Sequence, residues 1–199
     1  MNEKINTGAV KMVTRCAEFK TREADGNLYI EGYFAVFGSR YDLWDGAAEM
    51  VDPGAFDLER DTDVRALTNH DTTLVLGRTT VGTLSLKVDD RGLWGSILVN
   101  QSDQDALNLY ARVRRGDVSE CSFGFDILDQ QMQRQSDGTT LWIILAVKLW
   151  EVSVCTFAAY TETHVEARAA ELAAMQKSQA DRRRAAILQK LKGGNNDGN

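Results

Sequence analysis

Asp117-Val118-Ser119-Glu120-Cys121-Ser122-Phe123-Gly124-Phe125 is the stretch from which the remainder of the chain can be read. Its alternation predicts a strand from Val118 to Asp129. Successive side chains of a strand point to opposite faces, so Cys121 and Ser122 part company, and Gly124 shares the side of Ser122. Phe123 and Phe125 then face a core, while a hydroxyl and a residue without a side chain face the other way. Upstream the period changes: Ser102 with Asp105 reads as a capping box, Ala106, Leu109, Tyr110 and Val113 follow helical spacing, and Gly116 closes the segment. Arg112, Arg114 and Arg115 sit in its last turns, where cations complement the helix dipole. Downstream, the polar residues Gln130 to Gly138 separate two more strands, Thr140 to Leu149 and Glu151 to Phe157.

Further out the pattern repeats. Val13 to Lys20 and Leu28 to Phe37 read as strands joined by the turn Ala24-Asp25-Gly26-Asn27. Gly38 to Gly54 reads as a loop, with Pro53 opening a short helical turn to Leu58. Val64 to Asn69 is a brief strand that delivers His70, and Val81 to Val88 and Leu93 to Asn100 flank the turn Asp89-Asp90-Arg91-Gly92. About seven strands with few helices predict a mostly β fold with helices, namely a mostly antiparallel β-barrel with one packed amphipathic helix. After Tyr160 the composition turns to Ala, Gln, Glu and Arg without Gly or Pro, which predicts a helix from Thr161 to Lys192. The expected domains are therefore 1–160, a β-barrel, and 161–199, a helical tail whose apolar face (Val165, Leu172, Ile187, Leu188, Leu191) is thin.

The 199 residues carry a net charge of −6 with 26% charged side chains, which argues against general affinity for nucleic acid phosphates. Protein partners are expected instead. The longest apolar run, Leu141 to Val147, is too short to span a bilayer, and no signal-peptide core opens the chain, so no membrane association and a cytosolic protein are expected. Cys16, Cys121 and Cys155 are odd in number and lack CxxC spacing; reduced, buried thiols are expected, with no metal and no cofactor.

The segment Ile30-Glu31-Gly32-Tyr33-Phe34-Ala35-Val36-Phe37 is followed by Gly54-Ala55-Phe56, by His70-Asp71 with Leu76-Gly77-Arg78, by Cys121-Ser122-Phe123-Gly124-Phe125, and by Leu149-Trp150-Glu151-Val152-Ser153-Val154. In this order and spacing they resemble the prohead (capsid maturation) serine protease family of tailed bacteriophages, itself similar to herpesvirus assemblin. The resemblance spans about residue 28 to residue 160. It departs from the family at Ala158, where proline is usual, and at Thr72-Thr73-Leu74. It implies an assemblin-like fold and a serine endopeptidase that cleaves scaffold and capsid proteins, and itself, inside the immature capsid in the host cytoplasm. It further implies that the major capsid protein with its scaffolding segment is the substrate, that the protease self-associates as a homo-oligomer, and that the tail is removed by self-cleavage or binds scaffold. Carried over by position, Ser122 is the nucleophile, His70 the base and Glu151 the third member.

The residue chemistry bears on each assignment. A serine that attacks an acyl carbon needs a base and a group that orients the base. The chain has two histidines; His70 follows a strand, and His164 lies in the polar start of the tail and stays open as a third member. Asp71 competes with Glu151 as the carboxylate, but neighbours along a strand diverge, so Asp71 is poorly placed beside His70. Glu151 between Trp150 and Val152 needs a partner against desolvation, unless it faces outward. Arg78, Arg114 and Arg115 are candidates to polarise the carbonyl, each with a solvated surface charge as the alternative. Two other classes remain at this point. A non-catalytic capsid- or scaffold-associated barrel would fail to react with a fluorophosphonate, and a metal-assisted hydrolase using His70, Asp71 and Asp63 would be sensitive to chelators.

Overall fold

The computed structural model describes the backbone of residues 10–14, 19–157 and 162–193, and the side chains of 19–157 and 169–189. The chain divides into two compact units, Met1–Tyr160 and Thr161–Asn199.

The first unit is built on two sheets. One holds β1 (Val10–Thr14), β4 (Tyr41–Trp44), β5 (Ala47–Val51), β6 (Arg65–Thr68), β7 (Asp71–Arg78), β10 (Glu120–Arg134) and β11 (Thr140–Cys155). The other holds β2 (Lys20–Ala24), β3 (Asn27–Val36), β8 (Leu84–Val88) and β9 (Gly92–Leu98), in the order β2-β3-β9-β8. In the larger sheet the order is β1-β10-β11-β5-β4, with β6 also on β11 and β7 on β6. Neither sheet closes on itself among the described residues, so the fold is mostly β with helices but the expected barrel is not established. Closure would require the terminal strands to pair with each other, whereas β1 and β4 end the main path of the larger sheet.

Long β11 serves two neighbours in succession. Its first part, Thr140 to Ile144, pairs parallel with β5, and its last part, Glu151 to Val154, pairs parallel with β6. Along its other edge it pairs antiparallel with β10 throughout. The core is lined by Phe34, Leu93, Ile97, Phe123, Phe125 and Val152, all buried. Phe123 stacks on Phe125 with centroids 4.8 Å apart and meets Phe56 edge-on at 5.4 Å, arrangements that aromatic quadrupoles favour.

Helix α1 (Gln104–Arg115) buries Ala106, Leu109, Tyr110 and Val113, as its spacing predicts. Its cap is Asp103 and not Ser102: the Asp103 carboxylate accepts from the N–H groups of Asp105 and Ala106, and an ionised acceptor suits the positive end of the helix. Gly116 closes it with φ +87°. Three strands, β4, β5 and β7, arise where no strand is predicted. Strand β5, Ala-Ala-Glu-Met-Val, buries Ala47, Ala48, Glu49 and Val51, so both its faces are covered and the period-two signal vanishes.

Among the described residues the second unit holds α2 (Glu162–Gly193). Ile187 and Leu188 are exposed on it. Among the described residues no helix is long and apolar enough to cross a membrane.

Candidate active site

The site begins with a tight turn. β6 and β7 pair antiparallel with Thr68 opposite Asp71, leaving Asn69 and His70 as a two-residue connection. Both have positive φ, +51° and +60°, the sign pattern of a type I′ hairpin turn. Asparagine and histidine are among the few side chains that enter this region at modest cost. Contacts to β11 fix the turn: the Asn69 N–H donates to the Val154 carbonyl at 3.0 Å, the Asn69 side-chain oxygen accepts from the Thr156 N–H at 2.8 Å, and the His70 N–H donates to Ser153 Oγ at 3.1 Å.

These anchors set the imidazole against Glu151. His70 Nδ1 lies 2.5 Å from Glu151 Oε1, and only 14% and 11% of the two side chains are exposed. The other carboxylate oxygen, Oε2, accepts from Ser153 Oγ at 2.6 Å. Both Glu151 oxygens are thus engaged, which offsets the cost of holding a carboxylate away from water.

A bulge decides which way Glu151 points. Gly124 faces Glu151 across the β10–β11 ladder, but Phe125 faces Leu149, so Trp150 is the extra residue. Val147 and Leu149 belong to the core before the bulge, Val152 and Val154 after it. One inserted residue reverses the alternation. Without it Glu151 would share the face of Leu149 and point into the hydrocarbon core. Trp150 itself is 43% exposed and donates from its indole nitrogen to Asp126.

Ser122 lies one strand over. It stands opposite Ser153 in the ladder, next to the Gly124–Glu151 pair, so the four residues share the face of the sheet opposite the aromatic core. The side chain of Ser122 is completely buried, and so is that of Ser153. The Ser153 hydroxyl donates to Glu151 and accepts from the His70 N–H, which commits it to holding the pair together.

Gly124 makes room for a carboxylate. A Cβ on it would stand 2.5 Å from Glu151 Oε1 and 3.0 Å from Glu151 Cγ. The space beside Ser122 that a missing side chain leaves is filled by the Glu151 carboxylate and not by solvent. Neither the role of Ser153 nor this function of Gly124 is legible in the sequence, because each depends on which residues face one another across two strands.

Asp71 points elsewhere. Its carboxylate accepts from the Thr73 hydroxyl at 2.6 Å and the Thr73 N–H at 2.8 Å, and these bonds, the hydroxyl first, hold its pKa below the ordinary value. Arg78 grips Asp63 through Nε at 2.6 Å and a terminal nitrogen at 2.8 Å, Arg115 pairs with Asp117 and Arg114 with Glu23. None of these arginines is paired with the His70–Glu151 contact. Asp63, offered with His70 and Asp71 as a metal ligand, is held by Arg78, and among the described residues no group of three or more His, Cys, Asp or Glu side chains has a metal-holding arrangement. The side chain of His164 falls outside the described residues. Cys155 is a free, buried thiol; Cys121 is disulfide-bonded, contrary to the expectation of reduced thiols.

A family model described as caudovirus prohead serine protease matches residues 16–178. The chain belongs to the caudovirus prohead serine protease family. It is therefore a serine protease with a role in capsid maturation. The family match runs beyond the two sheets into the first half of α2. Among solved structures the prohead protease is similar to the bacteriophage T4 capsid assembly protease gp21, at 12% identity over 74% of this chain and 96% of that chain, with a TM-score of 0.41. No curated protein matches the chain.

Proposed function

We propose that the prohead protease is an endopeptidase with a Ser122-His70-Glu151 triad acting through an acyl-enzyme. The observation that carries this reading is the 2.5 Å contact between His70 Nδ1 and Glu151 Oε1 on the sheet face that bears Ser122. A carboxylate on Nδ1 leaves Nε2 free to act as the base and stabilises the imidazolium that forms. Ser122 Oγ attacks the scissile carbonyl carbon while its proton passes to His70 Nε2. Collapse of the tetrahedral adduct breaks the C–N bond, and the same proton goes to the leaving amine. Water then attacks the ester and gives a proton to Nε2; as the carbonyl–Oγ bond breaks, that proton passes to Oγ, which restores the serine and releases the acid product.

The substrates in this reading are the capsid protein's scaffolding segment and the protease itself, within the immature capsid in the host cytoplasm, with self-association of the protease. The family membership supports this choice. Residues 161–199 form the separable part that is removed by self-cleavage or engages scaffold, a role that suits a helix with exposed Ile187 and Leu188.

The test is mass spectrometry of purified wild type beside Ser122→Ala, His70→Ala and Glu151→Gln, with and without scaffold protein. Processing is expected in the wild type and absent in Ser122→Ala and His70→Ala. Equal processing in wild type and Ser122→Ala would overturn the assignment.

A further inference from the structure

On the side of β11 away from β10 there is a gap between the end of the β5 pairing at Ile144 and the start of the β6 pairing at Glu151. Backbone groups in such a gap need other partners. The Val147 N–H donates to the Ala55 carbonyl at 3.0 Å, and the Val147 carbonyl accepts from the Arg60 guanidinium. The Leu149 N–H donates to Asp61 Oδ2 at 2.9 Å. The Asp61 side chain has no exposed surface, and its Oδ1 is held by Arg60 Nε and Lys148 Nζ, each at 2.9 Å. A buried carboxylate, with its two cations, stands where a neighbouring strand would supply a rung of the ladder. It fastens the residue immediately before the Trp150 bulge.

We propose that Asp61 is a positioning residue for the protease reaction: by accepting the Leu149 N–H it fixes the bulge at Trp150 and thereby holds Glu151 on the His70 face of the sheet. The inference rests on the role of Glu151 proposed above. Asp61 touches neither Ser122 nor His70 in this scheme and acts through two residues of backbone. If Leu149 is released, the bulge can relax toward regular alternation, which turns the Glu151 carboxylate away from the imidazole. The clamp is carried by the acceptor oxygen aimed at Leu149, with Arg60 and Lys148 keeping that oxygen in place.

The test uses the full chain and a fluorophosphonate, which labels a serine only when its hydroxyl is activated. The limiting labelling rate at Ser122 and the reagent concentration at half that rate are measured separately. Asp61→Ala is expected to lower the limiting rate about 10²-fold, the usual scale for a misplaced catalytic group, and to leave the half-saturating concentration unchanged. Asp61→Asn, whose amide oxygen can accept the Leu149 N–H, recovers most of the lost rate. In a Glu151→Gln background Asp61→Ala adds no further loss, because two changes along one route are not additive. Should Asp61→Ala not fold, Arg60→Met, which removes one cation and frees the Val147 carbonyl, gives the same comparison in milder form.

Additive losses, or an Asp61→Ala protein labelled at the wild-type rate, overturn the positioning role while leaving the triad standing. Glu151→Gln labelled as fast as wild type, or a wild type unlabelled at Ser122, removes the triad reading and this inference with it.

Discussion

At position 124 the hydrogen of glycine is what lets Glu151 lie where it does. A methyl group there meets a carboxylate that His70 and Ser153 already hold from both sides. Gly124→Ala is therefore expected to lower Ser122 labelling by about 10²-fold with the circular dichroism spectrum unchanged; labelling at the wild-type rate would show that Glu151 can move without consequence. Ser153 is the second test at this scale. Ser153→Ala leaves a buried carboxylate oxygen and the His70 N–H without their partner, a loss of about 2 kcal/mol in unfolding free energy, read from the denaturant midpoint. Peptide mapping of the labelled wild type is expected to find the adduct on Ser122 and not on Ser153, whose hydroxyl is already committed to Glu151.

Among the elements, the β6–β7 hairpin and the edge strand β1 carry the clearest expectations. Asn69 has φ +51° and is tied to Thr156 through its side chain. Both Asn69→Gly and Asn69→Ala lose that tie, but glycine keeps the backbone conformation at ease whereas alanine strains it, a difference of about 1–3 kcal/mol. Thermal unfolding is expected to separate the two variants in that order. Strand β1 lies antiparallel along β10 with Val13 opposite Ser122, and Ser122 is fully buried in that arrangement. A chain that begins after Thr14 is expected to react faster with a fluorophosphonate than the full chain; an unchanged rate would mean that β1 does not limit access to the hydroxyl.

Across the whole molecule, buried charge makes stability depend on acid. Burial pushes the Asp61 carboxyl up, but the Arg60 guanidinium, the Leu149 N–H and Lys148 outweigh it and hold its pKa below the ordinary 3.8. A carboxyl whose folded-state pKa is depressed stabilises the fold fully above its unfolded value, and that contribution is lost as pH falls through the folded-state value. Unfolding free energy is expected to decline below about pH 4, and Asp61→Asn to flatten that decline while lowering stability at neutral pH by about 3 kcal/mol. An acid limb of the same steepness in wild type and variant would place the titration elsewhere.

What the sequence by itself determined is local. Turn chemistry at Asp25-Gly26, helical spacing from Ala106 to Val113, and alternation around Phe123 and Phe125 follow from side chains a few residues apart, so those elements, the mostly β class and the family resemblance could be read directly. Strand β5 could not, because burial on both faces erases alternation, and the hairpin through Asn69 and His70 lacks the glycine that usually announces such a turn. Only the tertiary structure decided how Glu151 faces. That depends on one extra residue at Trp150, on a carboxylate at Asp61 nearly ninety positions away in the chain, and on an empty place at Gly124 across the ladder. A strand's sequence records that its sides alternate; it takes the neighbouring strands to say where the alternation is reset.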